Sequence, residues 1–134
     1  MRILIAVTLV VGICVVPGRV LAAKYDGSAP LLCAPIEIIE CGAAGECFNS
    51  TAEEVNIPQF IKVDFKTKML SAAEEGGNKA AIKHLEHTNG RMIMHGGQEG
   101  RGWTMVISEE TGKMSATISE DQVGFIVFGA CTPM

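Results

Sequence analysis

Four cysteines carry the best-defined chemistry in this sequence. Cys33, Cys41, Cys47 and Cys131 form an even set outside the apolar amino terminus, which is typical of a disulfide framework in an oxidising compartment. Of the three possible pairings, we favour Cys41 with Cys47, across the loop CGAAGEC, and Cys33 with Cys131, joining the ends of the domain. A four-thiolate zinc site is disfavoured because it usually brings two close cysteine pairs, and Cys131 has no close partner in the sequence.

Histidine and methionine side chains form a second candidate group. His84, His87 and His95 lie near Met92 and Met94, and such clusters suit copper in an oxidising compartment. The spacing of three residues between His84 and His87 places both on one face of a helix but on opposite faces of a strand. A periplasmic copper-handling protein is therefore the alternative function, and three solvent-facing histidines are the simpler interpretation.

The stretch GGQEGRGWTMVI, residues 96–107, has the glycine content of a phosphate-binding loop. Such a loop needs its glycines between a strand and the start of a helix, whose amides face the anion. Here WTMVIS follows, and it alternates like a strand. Because glycine permits positive φ and close backbone approach, the stretch predicts the corner of a β-hairpin and no anion site.

Catalytic groups are not evident. The candidate carboxylates fall mostly in predicted turns, no serine occupies a nucleophile elbow, and every cysteine of the mature chain is assigned to a disulfide. Arg101 beside Glu99 would suit a substrate anion, although a surface ion pair is the simpler interpretation. We therefore predict no catalytic residue and no cofactor, and a hydrolase ranks last among the functions. The carboxylates considered are Asp64, Glu99, Glu109, Glu110 and Asp121.

The amino terminus predicts export. A positive start at Met1 and Arg2 precedes an apolar run of 14 residues from Ile3 to Val16, and small residues lead to Ala22. This is the pattern of a secretory signal peptide, residues 1–22. The run is shorter than the roughly 20 residues of a membrane-spanning helix, which disfavours an uncleaved anchor. We expect a periplasmic or secreted protein with no stable membrane span after cleavage.

Charge restricts the partners of the mature chain. Cleavage of the predicted signal peptide would remove two of the 11 Lys and Arg residues. The remaining chain has 9 Lys and Arg against 15 Asp and Glu, so its formal charge becomes −6. Such a chain is poorly suited to nucleic acid, where phosphate neutralisation supplies much of the affinity. It also lacks the basic stripe of a peripheral membrane protein. The remaining length suits one domain, divided into a flexible lead-in at 23–32 and a β domain at 33–134.

Alternating apolar residues predict the elements that position these groups. FIKVDFKTKMLSA reads as a hairpin, Asn89-Gly90 is a strong type I′ turn signal, and VGFIVFGAC is apolar on both faces, as in a covered strand. About eight short strands predict an all-β antiparallel meander, a small barrel or sandwich. Ser50 and Glu53 resemble a capping box, which predicts one helical turn before Pro58.

The predicted register turns several large side chains inward. Thioethers fill irregular space and suit adaptable binding surfaces, and a barrel of about eight strands can hold one small ligand. The sequence therefore predicts a non-enzymatic domain that binds a small apolar ligand inside or a partner protein at its glycine-rich rim. A filled core is the simpler interpretation of the same residues. The predicted ligand-binding residues are Trp103, Met92, Met94, Met105 and Met114.

Several segments together resemble a family of small exported bacterial proteins of proteobacterial type. They are CAPIEIIECGAAGEC, AEEVNIPQFIKVDF, GRGWTMVISEETGKMSATI and FIVFGAC, spread over residues 33–131. The resemblance implies a bacterial periplasmic or secreted location, but no reaction and no catalytic residue. It also argues against N-glycosylation at Asn49 in the motif NST.

Overall fold

The computed structural model describes residues 24–134, and the predicted signal peptide lies outside them. Every regular element in the described chain is a β-strand. No helix in this part has the length and apolar character needed to cross a membrane. The strands are β1 (Leu31–Gly42), β2 (Cys47–Ser50), β3 (Ile61–Asp64), β4 (Met69–Ala72), β5 (Lys79–Ala81), β6 (His84–Thr88), β7 (Arg91–Gln98), β8 (Arg101–Ser108), β9 (Lys113–Ser119) and β10 (Val123–Pro133).

The strands form one antiparallel sheet of 10 strands in the order β5-β4-β3-β1-β10-β9-β8-β7-β6, with β2 also paired to β1. The chain from β6 to β10 is a simple meander, and β10 then pairs with β1 along its length. The predicted all-β antiparallel fold is confirmed. The strand number exceeds the predicted one because β2 is mostly exposed and β5 has only three residues, so neither gives a clear apolar alternation in sequence.

The segment 79–88 links the two ends of this sheet. Its first part, β5, pairs with β4, and its second part, β6, pairs with β7. At the crossover the N–H of Ile82 donates to Lys68 O and the N–H of Lys83 donates to His95 O, each at 2.9 Å. The sheet therefore curls into a barrel-like shape with its ends brought together at residues 82–83.

Two hairpins use turns with positive φ at both central residues. Asn89 and Gly90 have φ of 49° and 71°, which confirms the predicted type I′ turn. Glu99 and Gly100 have φ of 51° and 83°, and they join Gln98 to Arg101 at the tip of the β7–β8 hairpin. The glycine-rich stretch is thus the corner predicted from its sequence, and a strand follows it.

Alternate residues of the meander face a common core. Met92, Met94, Met105, Ile107 and Met114 are all buried, as the predicted register requires. The amino-terminal segment packs against the same core through Tyr25, whose ring also lies against Gly112. Strand β1 begins at the fully buried Leu31, so the ordered domain starts before the predicted boundary at residue 33.

Both predicted disulfides are present. Cys33 bonds to Cys131, its direct partner in the β1–β10 ladder. Cys41 bonds to Cys47, its direct partner in the β1–β2 ladder. Each bridge therefore joins two neighbouring strands. Two disulfides in a domain of this size are typical of exported proteins.

The segment between β2 and β3 corrects one prediction. The capping box forms at Thr51 and Glu54, where the N–H of Thr51 donates to the Glu54 carboxylate at 2.8 Å and the N–H of Glu54 donates to the Thr51 hydroxyl at 3.3 Å. The predicted box at Ser50 and Glu53 is wrong because Ser50 ends β2. The following residues form turns and no helix, and they place Val55 and Ile57 in the core.

Candidate functional site

A cavity of about 380 Å³ lies on the inner face of the curled sheet. Its volume lies within the usual range of small-molecule pockets. At ~30 Å³ for each water-sized group, it accommodates roughly a dozen non-hydrogen atoms. Its deeper wall is apolar and includes Leu70, Ala80, Trp103, Met105, Met114 and Ala116.

Strands β8 and β9 form much of this wall. Trp103 lies opposite Ile118, and Met105 lies opposite Ala116, in their shared ladder. These side chains face inward because alternate residues of a strand point to the same side of the sheet. Alanine at 116 and at 80 leaves open space where a larger side chain would close the interior.

Polar side chains surround the opening. They come from four separate places: the turn after Val55, the start of β5, the β7–β8 hairpin and the β9–β10 turn. The polar part of the lining therefore combines segments that are far apart in the sequence. The polar lining residues include Asn56, Asn78, Gln98, Glu99, Arg101 and Glu120.

Arg101 connects the strands at the opening to the segment above them. Its Nε forms an ion pair with Glu120 Oε1. Its Nη1 donates to the carbonyl oxygens of Val55 at 3.1 Å and Asn56 at 3.5 Å. Its Cζ lies 5.7 Å from the ring centre of Phe125, within cation–π range. One guanidinium thus holds the segment 51–58 over the cavity.

Trp103 lines the cavity where the two ends of the sheet approach each other. A Cβ at Gly96 would lie 2.7 Å from Trp103 Cζ2, so the indole lies against the Gly96 backbone. Its Nε1 is buried and has no hydrogen-bond partner within residues 24–134. Trp103 is the only tryptophan in the sequence, which makes it a built-in fluorescent reporter of the cavity.

The structure divides the five predicted ligand-binding residues. Trp103, Met105 and Met114 line the cavity. Met92 and Met94 are fully buried and are not among the lining residues, and Met94 lies opposite Met105 in the β7–β8 ladder. The polar opening was missed from sequence, although alanines at inward positions of β5 and β9 were a signal for open space.

The predicted metal ligands are dispersed. His84 and His95 lie opposite each other in β6–β7, with stacked rings whose centres are 4.9 Å apart. Nδ1 of His87 lies 2.5 Å from Glu109 Oε1 instead. Met92 and Met94 alternate with His95 on β7 and are buried on the other side of the sheet. Within the described residues, no group of three or more His, Cys, Asp or Glu is placed to hold a metal ion.

Two of the carboxylates considered as catalytic candidates have clear structural roles in turns or surface contacts. Asp64 accepts hydrogen bonds from the N–H groups of Lys66 and Thr67, each at 3.0 Å. The bond from Thr67 is the main cause that lowers the pKa of Asp64 below its usual value. Glu109 contacts His87. Of the five candidates, only Glu99 lines the cavity.

Comparison of the chain with protein-family models, with curated proteins and with solved structures finds no match. The inference of function therefore depends on the geometry of the cavity and its opening.

Proposed function

We propose that this protein is an exported, periplasmic or secreted binding domain without enzymatic activity. Its ligand is a small molecule whose apolar body enters the cavity between β5, β8 and β9. The observation that carries the proposal is the cavity of about 380 Å³, with an apolar wall and a polar opening. Ligand pockets combine these same features, because apolar walls supply affinity and a few polar groups fix orientation.

The composition of the wall supports this proposal. Protein interiors are normally close-packed, and an unfilled void lowers stability. Here the space persists beside Ala80 and Ala116, two of the smallest side chains available. Met105 and Met114 border the same space, and flexible thioethers adapt to ligands of different shape.

Fluorescence of Trp103 provides the direct test. We expect 1-decanol, a neutral probe of suitable size, to change the Trp103 emission saturably and to bind one molecule per chain in calorimetry. Ala116→Leu fills the cavity and should weaken binding at least tenfold. Ala130→Leu makes the same change at an exposed position of β10 and should bind like the parent protein.

Two results would contradict the proposal. The first is the absence of saturable binding by the parent protein. The second is equal binding by Ala116→Leu and Ala130→Leu, with circular dichroism showing that both are folded. Ala80→Leu offers a second way to fill the cavity should Ala116→Leu not fold. Native mass spectrometry of protein from its own host adds an independent measurement, because it weighs any bound small molecule, metal ion or second chain.

A further inference from the structure

We infer that the ligand of this cavity joins its apolar body to a protonated amine, and that the opening selects against a carboxylate at that position. The inference rests on the proposed binding function and adds the chemical class of the head group. It follows from the charges at the opening and from the contacts that already occupy Arg101.

The charged residues that line the cavity give it a negative balance. Glu99 and Glu120 contribute two carboxylates, and Arg101 contributes the one cationic side chain among the described lining residues. The formal charge of the opening is therefore −1. Charges at the mouth of a low-dielectric cleft concentrate ligands of the opposite sign and repel those of the same sign.

Arg101 is engaged by protein groups on several sides. Glu120 pairs with its Nε, the carbonyls of Val55 and Asn56 accept from its Nη1, and Phe125 lies against its Cζ. A ligand carboxylate would have to compete with these acceptors. It would also lie near Glu120, a like charge that weakens its binding.

Glu99 provides the counter-charge for an amine. It forms none of the ion pairs observed within residues 24–134, and it lines the opening. Glu99 is the first central residue of the turn that joins Gln98 to Arg101, and its φ is 51°. A protonated amine at the opening would therefore meet a carboxylate that forms no direct ion pair with another side chain in residues 24–134.

Three probes with the same ten-carbon chain test the head group alone: decylamine, 1-decanol and decanoate. Titrations at pH 7, below the critical micelle concentrations, follow Trp103 fluorescence and heat. We expect decylamine to bind on the order of tenfold more tightly than decanoate, with 1-decanol between them. The ratio should shrink in 0.5 M salt, because ions screen the exposed part of the interaction.

Two matched variants locate the effect. Glu99→Gln should reduce the preference for decylamine over decanoate several-fold, because it removes the negative charge while keeping a side chain of similar size. Glu110→Gln removes an exposed carboxylate in the β8–β9 turn, at the other end of β8, and should retain the preference.

The possible results distinguish the amine head group from the proposed binding function on which it rests. Tighter or equal binding of decanoate would overturn the amine class while leaving the cavity as a binding site. Failure of all three probes would overturn the proposed function and this inference with it. An amine preference that survives in Ala116→Leu would show adsorption to the acidic surface and would also overturn the inference.

Discussion

Trp103 lies directly opposite Gly96 in the β7–β8 ladder, and its indole occupies space that a side chain at position 96 would need. A Cβ at Gly96 would also lie 2.4 Å from Ala81 O, at the end of β5. The same glycine therefore allows the approach of the indole and of the segment 79–88. Closure of the sheet and the shape of the cavity wall both depend on this residue.

We expect Gly96→Ala to lower the free energy of unfolding by about 1–3 kcal/mol, because backbone atoms would have to move to relieve the contact. Gly97→Ala is the matched control, since its nearest neighbour would be Arg101 O at an ordinary 3.4 Å. Urea denaturation followed by Trp103 emission measures both. Equal stability of the two variants would show that position 96 accepts a side chain.

Arg101→Met should loosen the segment 51–58. Charge-assisted hydrogen bonds contribute about 1.5–3 kcal/mol each, so we expect amide exchange at Ile57, whose N–H donates to Ala52 O, to accelerate at least tenfold. Arg91→Met is the control, because Arg91 contacts only the nearby Asn89 carbonyl among the described side-chain hydrogen bonds. Unchanged exchange in Arg101→Met would mean that Val55 and Ile57 hold the segment without the guanidinium.

The two disulfides should differ in their contribution to stability. In the chain-entropy model, removing Cys33–Cys131, with a sequence separation of 98, costs about 5 kcal/mol. Removing Cys41–Cys47, with a separation of 6, costs about 2–3 kcal/mol. Double alanine variants compared by guanidinium denaturation measure the difference. A larger loss from the short loop would contradict the model for this fold.

Acid should weaken the turn after β2. Hydrogen bonds from the backbone N–H and the hydroxyl of Thr51 lower the pKa of Glu54 below its ordinary value of 4.5. Because the folded-state pKa is the lower one, the stabilisation is present above pH 4.5 and is lost as the pH falls through the lowered value.

Glu54→Gln should therefore lower the Tm at pH 7, and its difference from the parent protein should shrink as the pH falls below that window. Glu53→Gln is the matched control, since the Glu53 side chain forms none of these hydrogen bonds within the described structure. Thermal unfolding from pH 7 to pH 3 measures both variants. A constant difference across the range would exclude the Glu54 carboxylate as its source.

Local patterns predicted much of the fold. Alternation in WTMVIS identified which side chains of β8 face inward, and Asn89-Gly90 identified a turn whose backbone angles few other residues adopt. The preferred pairing of Cys33 with Cys131, which joins the ends of the domain, is also confirmed. Each of these inferences depends on neighbouring residues or on chain ends.

The cavity could not be predicted in the same way. Its opening combines Asn56, Asn78, Glu99 and Glu120, and only the curvature of the sheet brings these residues together. The sequence also did not predict that the segment 79–88 links the two ends of the sheet, because β5 has three residues and gives no clear alternation. Met105 lines the cavity and Met92 does not. This difference depends on how deeply each side chain is packed, which strand periodicity does not encode.

The Cys41–Cys47 bridge has a consequence beyond the entropy of its small loop. It fastens the four residues of β2 along Ile38–Cys41, a stretch of β1 rich in isoleucine. Without β2, that stretch would offer its main-chain groups to other molecules, as unprotected strand edges do in aggregation. Oxidation thus keeps this edge of β1 covered, and we expect reduced copies of the protein to self-associate more readily.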